Sequence, residues 1–246
     1  MNVVGAVFRK ELRGFFNSPL AYIFLVLFLL YLGGTFFFGN LSAGGFTGVQ
    51  VKEASLESFF AALPFAFVIV VPALAMKLWP DELKLGTIEL LMSYPVKPSH
   101  VVLGKFFAGL VLLAIGLALT MITPLTVADY GALDWGPVWG SYLASILLGG
   151  AFLAAGLFAG ALCREQVTAF ILTLLFCGFL AMIGGKTFQA TSDAGFAAWA
   201  NRISFTNRFE DLAKGVIDLR DVTYFVSFAA AFLGLNVAVL EARKAK

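Results

Sequence analysis

The sequence predicts an all-α polytopic membrane protein with six transmembrane helices and both ends on one side of the membrane. Three observations carry that expectation. Of the 246 residues, 60% are hydrophobic and 13% charged, with a mean hydropathy of +0.91, whereas a water-facing surface draws on about 25% charged residues. The apolar residues gather in six charge-free runs, near 20–39, 59–76, 106–128, 135–163, 166–185 and 222–240. The basic residues concentrate in alternate connections. Most connections are short and no repeat or low-complexity tract is visible, so residues 1–246 read as one transmembrane domain.

A helix rises 1.5 Å per residue, so about 20 residues cross a hydrocarbon core of about 30 Å, and each run comes close to that length. The first follows Arg9, Lys10 and Arg13, as the core of a secretory signal does. It is too long for a typical signal, however, and Ser42, Ala43 and Gly44 make a weak cleavage site, so it reads as a retained helix. Arg9, Lys10, Arg13, Lys77, Lys84, Lys97, Lys105, Arg164, Arg243, Lys244 and Lys246 lie on one side of the membrane. Lys52, Lys186, Arg202, Arg208, Lys214 and Arg220 lie on the other. The first set is expected in the cytoplasm, with both termini.

Residues 1–18 precede the first span. Val4, Phe8, Leu12 and Phe15 share a helical face, and Arg9, Lys10 and Arg13 share another. That is the pattern of a helix lying in the interface with its basic groups on anionic headgroups, and equally of a basic flank that orients the first span. Asn17, Ser18 and Pro19 end it, because proline disfavours helical geometry at the preceding residue. Pro64 and Pro72 are expected to bend the second span, and Pro124 the third. Gly156 and Gly160 form a small-xxx-small pair for close helix packing.

The two long connections hold the rest of the information. The cytoplasmic loop 77–105 contains Asp81, Glu82, Lys84, Gly86, Thr87, Glu89, Leu90, Leu91, Tyr94 and Pro95. Thr87 to Tyr94 have room for two helical turns, stopped by Pro95, and Ser99 is a candidate N-cap for the third span. Leu90, Leu91 and Tyr94 are apolar groups outside any span, which marks either a docking element or a loop tucked against nearby helix ends. The external segment 186–221 alternates aromatic and charged residues, among them Phe209, Glu210, Asp211, Gly215, Asp218 and Asp221. Asn207 is a candidate cap for a short helix stopped by Gly215, and Asp218 or Asp221 for the last span.

Several chemistries are disfavoured. A net charge of +2 without dense basic patches argues against nucleic acid. Two cysteines at different depths, Cys163 and Cys177, argue against a disulfide, and one histidine, His100, argues against zinc or haem. Gly185-Lys186-Thr187 ends like a phosphate-binding loop, but Leu180 stands where its first glycine is needed. The spans hold no ionisable group for a proton or ion relay, and no catalytic constellation.

Together these parts resemble the ABC-2 type permease family, the membrane subunits of ATP-binding-cassette exporters. The most specific part is Asp81-Glu82, then Gly86-Thr87-Ile88-Glu89-Leu90-Leu91 and Pro95, with Lys105 opening the third span. The stretch from Phe209 to Asp221 is similar to the segment before the last helix in the gliding-motility-associated and nitrous-oxide-reductase-maturation branches. The resemblance implies that loop 77–105 is a coupling helix seated on a separate ATPase, with Glu82, Lys84 and Glu89 as polar contacts and Leu90 and Leu91 as apolar anchors. It implies that 1–18 is an interfacial connecting helix and 186–221 an external re-entrant helical segment. It further implies a half-transporter in a bacterial inner membrane, working with two ATPases, a second permease copy or homologue, membrane lipids and possible auxiliary membrane or periplasmic subunits. ATP and Mg would be bound by the partner ATPase, with no cofactor and no catalytic activity in this chain. A membrane scaffold that moves no substrate, and a passive channel or secondary carrier, are the alternatives.

Overall fold

A computed structural model describes residues 3–38, 56–88, 96–131, 133–183, 203–215 and 218–244. Among them every regular element is a helix. In chain order these are α1 (Val3–Phe16), α2 (Pro19–Phe38), α3 (Glu57–Ala61), α4 (Leu63–Leu78), α5 (Pro80–Lys84), α6 (Pro98–Thr120), α7 (Ile122–Tyr130), α8 (Trp135–Leu162), α9 (Gln166–Met182), α10 (Phe205–Ala213) and α11 (Leu219–Lys244).

Four stretches are long and apolar enough to cross a membrane: Glu57–Lys84, Pro98–Asp129, Trp135–Leu162 and Leu219–Lys244. A fifth is added if α1 and α2, bent by 71°, count as one broken span. Helix α9 has 17 residues, about 26 Å at 1.5 Å each, and is apolar but shorter than these four stretches. The six charge-free runs therefore appear as four or five span candidates among the described residues. The run near 166–185 extends past their edge at 183.

Helix α8 is the centre of the bundle. Ser145, Leu148, Ala151, Phe152, Leu153, Ala154, Leu157 and Ala161 are fully buried, and α4, α6, α9, α10 and α11 all pack on it. Its small residues permit this, because backbones can approach where no side chain intervenes. A Cβ on Gly156 would lie 2.7 Å from Ala75 Cβ and 3.0 Å from Thr173 Cγ2, so the glycine pair serves packing within the chain. Helix α11 is the opposite case and buries only Asp221, Phe225, Asn236 and Leu240.

Pro64 is the second residue of α4, just past the break at Ala62. Pro124 is the third residue of α7, past a break at Met121 whose N–H turns back to Ala118 O at 3.2 Å. A proline lacks the amide that would bond four residues back, which loosens the preceding turn. Pro72, in contrast, sits inside the uninterrupted helix α4. Two caps differ from the sequence reading. Helix α6 starts at Pro98 with Lys97 at the N-cap, so Ser99 is inside it; a proline fits the first helical position because its missing amide is unused there. Ser204, not Asn207, caps α10, its Oγ accepting from Asn207 N at 3.1 Å.

Candidate functional site

The base of the 77–105 loop is built from the end of α4. Buried Trp79 breaks that helix and Pro80 starts α5. Asp81 and Glu82 occupy the first turn of α5 and Lys84 its last, matching the helix dipole. The Leu85 amide closes the turn on Asp81 O at 3.1 Å. Gly86, with φ +69°, adopts the left-handed geometry in which a helix commonly ends. Leu85, just before it, is 75% exposed, while Ile88 beyond it is buried. Glu89, Leu90, Leu91, Tyr94 and Pro95 lie outside the described residues.

Lys105 is the centre of this end of the molecule. Because α6 starts at Pro98, Lys105 lies two turns inside the helix rather than opening the span, and it is 1% exposed. An isolated ammonium at such depth would cost several kcal/mol. Here Lys105 donates to Glu11 Oε1 at 2.9 Å and Leu78 O at 2.6 Å, and Glu82 Oε2 lies 3.1 Å away as a second ion-pair partner. The Trp79 ring lies under it at 4.8 Å, a cation–π contact that gains strength away from water. Lys10 closes the ring from α1, reaching Glu82 Oε1 at 2.6 Å and Glu11 Oε1 at 3.5 Å. One polar cluster thus joins α1, the loop base and α6.

The joint is tight as well as charged. A Cβ on Gly104 would lie 2.8 Å from Val7 Cβ, so α1 lies directly on α6 at this glycine. On the remaining α1 positions, Phe15 is buried, Phe8 and Leu12 are half-buried, and Arg9, Lys10 and Arg13 are exposed. Lys77 donates to Ser18 Oγ in the α1–α2 turn, and Gln166 Nε2 donates to Asp81 Oδ1. Lys84 pairs with Glu165 at 3.1 Å across two exposed side chains. Arg243, in the last turn of α11, donates to Ala161 O at 2.8 Å. The loop base is thereby tied to α1, α6 and the α8–α9 turn.

Burial alone would push the Glu82 carboxyl up, but the ammonium groups of Lys105 and Lys10 outweigh it and hold the group below its ordinary value. Burial likewise opposes the charge on Lys10, and the hydrogen bond and charge of Glu82 more than reverse this, raising Lys10. The signs give a pH window. A depressed carboxyl stabilises fully above its ordinary value of 4.5 and loses that stabilisation as pH falls through the lower folded value. A raised lysine contributes fully below 10.5 and loses its part above. The thermal midpoint of the wild type relative to Glu82→Gln is therefore expected to be flat from about pH 6 to 9 and to converge below about pH 4, which calorimetry in detergent would check.

At the opposite end α10 is set into the bundle. Phe205, Phe209 and Leu212 are buried, and the Phe205 ring meets Phe152 of α8 at 5.8 Å. Thr206 Oγ1 donates to Ala181 O at 2.9 Å. Arg208 pairs with Asp221 at 2.6 Å and lies 4.3 Å over the Tyr224 ring, whose hydroxyl donates to Ile203 O at 2.8 Å. Asp211 pairs with Lys214 on the surface at 2.8 Å, and Glu210 is half-buried. Gly215, with φ +85°, stops the helix against Gly136. Asp218 Oδ1 accepts from Arg220 N at 2.8 Å at the start of α11.

Sequence reasoning singled out Glu82 and Lys10 separately, and the structure brings them together. It missed Glu11 and the centrality of Lys105. The available signal was that Glu11 is the one acid before residue 53, on a helix otherwise selected for positive charge. It also missed the pairing of Arg208 with Asp221.

An all-helical bundle with several helices long and apolar enough to cross a membrane defines an integral membrane protein. The chain belongs to the ABC-2 family transporter proteins, whose family profile matches residues 5–239. It is similar to the probable ABC transporter permease protein NosY of Pseudomonas aeruginosa, 32% identical over 165 residues, which is 63% of this chain and 58% of that one. The same-named protein of Stutzerimonas stutzeri is 29% identical over 164 residues, with equal coverage. The chain thus matches less than two thirds of the length of these relatives. Both are in keeping with the branch that the external segment resembles.

Proposed function

We propose that this protein is the permease subunit of an ATP-binding-cassette exporter in a bacterial inner membrane, with both termini in the cytoplasm. Two copies, or one copy and a homologue, work with two ATPase subunits that hold ATP and Mg and perform the hydrolysis. Auxiliary membrane or periplasmic subunits join them. All six charge-free runs serve as spans, the region containing α10 is re-entrant, and alternating access moves the substrate. The observation that carries this reading is the construction of the 77–105 loop: an exposed apolar residue, Leu85, stands on a base fixed to α1 and α6 through buried Lys105. A loop that only connected two spans would need neither. ATPase closure would press on the exposed tip, and the rigid base would pass the displacement into α1, α4 and α6.

The reading is tested by isolating the protein from its native membrane with gentle detergent, wild type beside Leu85→Asp and a Glu89→Arg, Leu90→Asp variant. A Walker-motif ATPase is expected to co-purify with wild type and to be lost from both folded variants. Absence of an ATPase from the wild type, or full retention by both variants, would contradict it and favour a scaffold or carrier.

A further inference from the structure

The charges around Lys105 are placed so that they can pair in two ways. The hydrogen bonds follow one pattern: Lys105 donates to Glu11 at 2.9 Å and Lys10 to Glu82 at 2.6 Å. The opposite pattern is already within ion-pair range, Lys105 with Glu82 Oε2 at 3.1 Å and Lys10 with Glu11 Oε1 at 3.5 Å. Glu82 turns a different oxygen to each lysine, Oε1 to Lys10 and Oε2 to Lys105, and Oε2 is buried without a hydrogen bond. Lys105 makes two of the three hydrogen bonds that an ammonium can donate, to Glu11 and to Leu78 O. An acceptor that lacks a hydrogen bond therefore faces a donor with capacity left, and a small rotation of the ammonium would join them.

The two patterns tie different elements together. In the observed one, α1 is held twice, by Glu11 to α6 and by Lys10 to α5. In the opposite one, Lys105 holds α6 to α5, while Lys10, whose side chain is 65% exposed, turns to Glu11 or to water. Helix α1 then keeps its apolar contacts, such as Val7 on Gly104, and has no charge tied to the loop base. We propose that Lys105 exchanges its carboxylate partner between Glu11 and Glu82, and that this exchange releases α1 from the loop base. Leu78 O and the Trp79 ring stay with Lys105 in both patterns, since they belong to the junction of α4 and α5. Both patterns also leave the buried lysine with a carboxylate, whereas lifting α1 away without the exchange would strip Glu11 from Lys105 with nothing in return, the costly way to break a buried pair. The exchange is a property of the chain alone. Its part in transport, as the step by which movement of the loop base reaches α1, rests on the exporter reading.

The test uses the full-length chain in detergent without an ATPase, so its failure leaves the exporter reading standing, and the absence of an ATPase would leave the exchange standing. Two double variants each keep one neutral pair at Lys105. Lys10→Gln with Glu11→Gln leaves Lys105 and Glu82, and Lys10→Gln with Glu82→Gln leaves Lys105 and Glu11. Their thermal midpoints are expected within about 3 °C of each other, with amide exchange in 3–16 about tenfold faster in the first. If Lys105 cannot turn to Glu82, the first variant contains an unpaired buried lysine and melts roughly 10 °C below the second, and that result would overturn the proposal. Equal exchange of α1 in the two variants would overturn it as well. If the first variant does not fold, Glu11→Asp decides, because it keeps every charge and only shortens the reach to Lys105. It is expected to melt within about 3 °C of wild type and to exchange severalfold faster in 3–16. A midpoint roughly 10 °C lower, or wild-type exchange in α1, would contradict the partner exchange.

Discussion

Lys105→Met is expected to destabilise the protein by about 3–5 kcal/mol, the usual consequence of removing one partner from a buried ion pair. The methionine fills the space of the stem, but Glu11 and Glu82 remain with only Lys10 to neutralise them, and Leu78 O loses its donor. The cost is therefore charge repulsion and desolvation rather than a packing void. It follows that Lys105→Met combined with Glu11→Gln and Glu82→Gln should recover most of the loss, because an uncharged cluster of similar shape pays no such penalty. Lys105→Arg should rescue poorly, since the larger planar group does not fit a site shaped for a compact ammonium between two carboxylates and Leu78 O over the Trp79 ring. Thermal midpoints of the four proteins in one detergent decide this. A single variant as stable as wild type would show that the buried cluster has little energetic weight.

Gly140→Val should have the second largest effect, at the other end of the bundle. A Cβ there would lie 2.6 Å from Leu212 O and 3.0 Å from Gly215 Cα. Both are backbone atoms, so no flexible side chain can move aside, and α10 must shift off α8. Overpacking of this kind costs about 1–3 kcal/mol. The shift should also weaken Ser141 Oγ to Ala213 O, at 3.4 Å already a long bond, and disturb the Phe205 aromatic cluster. Amide exchange in 205–213 is expected to rise by at least about tenfold, with the exchange of α6 unchanged. Uniform acceleration throughout the chain would show that α10 does not respond as a local unit.

The element order was legible because membrane helices are written in composition: charge-free runs of suitable length are rare elsewhere and mark their own ends. The expected stop at Gly215 was legible for a comparable reason, as a left-handed position favours glycine. Partnerships across the bundle were not. Lys105 and Glu11 are 94 positions apart, and nothing in either neighbourhood states that the two meet. Their pairing follows from α6 beginning seven residues before Lys105 and from Gly104 letting α1 lie against it. Ser204 displaced Asn207 as a cap because α10 begins three residues earlier than the polar pattern implied. Lys105, at the edge of a charge-free run, read as a flank of the span, and only its acceptors explain how a lysine is accommodated inside.

The central claim is that the 77–105 loop passes nucleotide-driven movement into the bundle through the Lys105 cluster. The most direct measurement is the distance between spin labels at exposed Trp139 and Leu219, on the start of α8 and α11, in the complex with its ATPase, with and without a non-hydrolysable nucleotide. The wild type is predicted to change its distance distribution on nucleotide binding. The stable Lys105→Met, Glu11→Gln, Glu82→Gln variant should keep the ATPase bound and lose the change. An identical nucleotide response in both proteins would contradict the claim and assign the transmission to another contact.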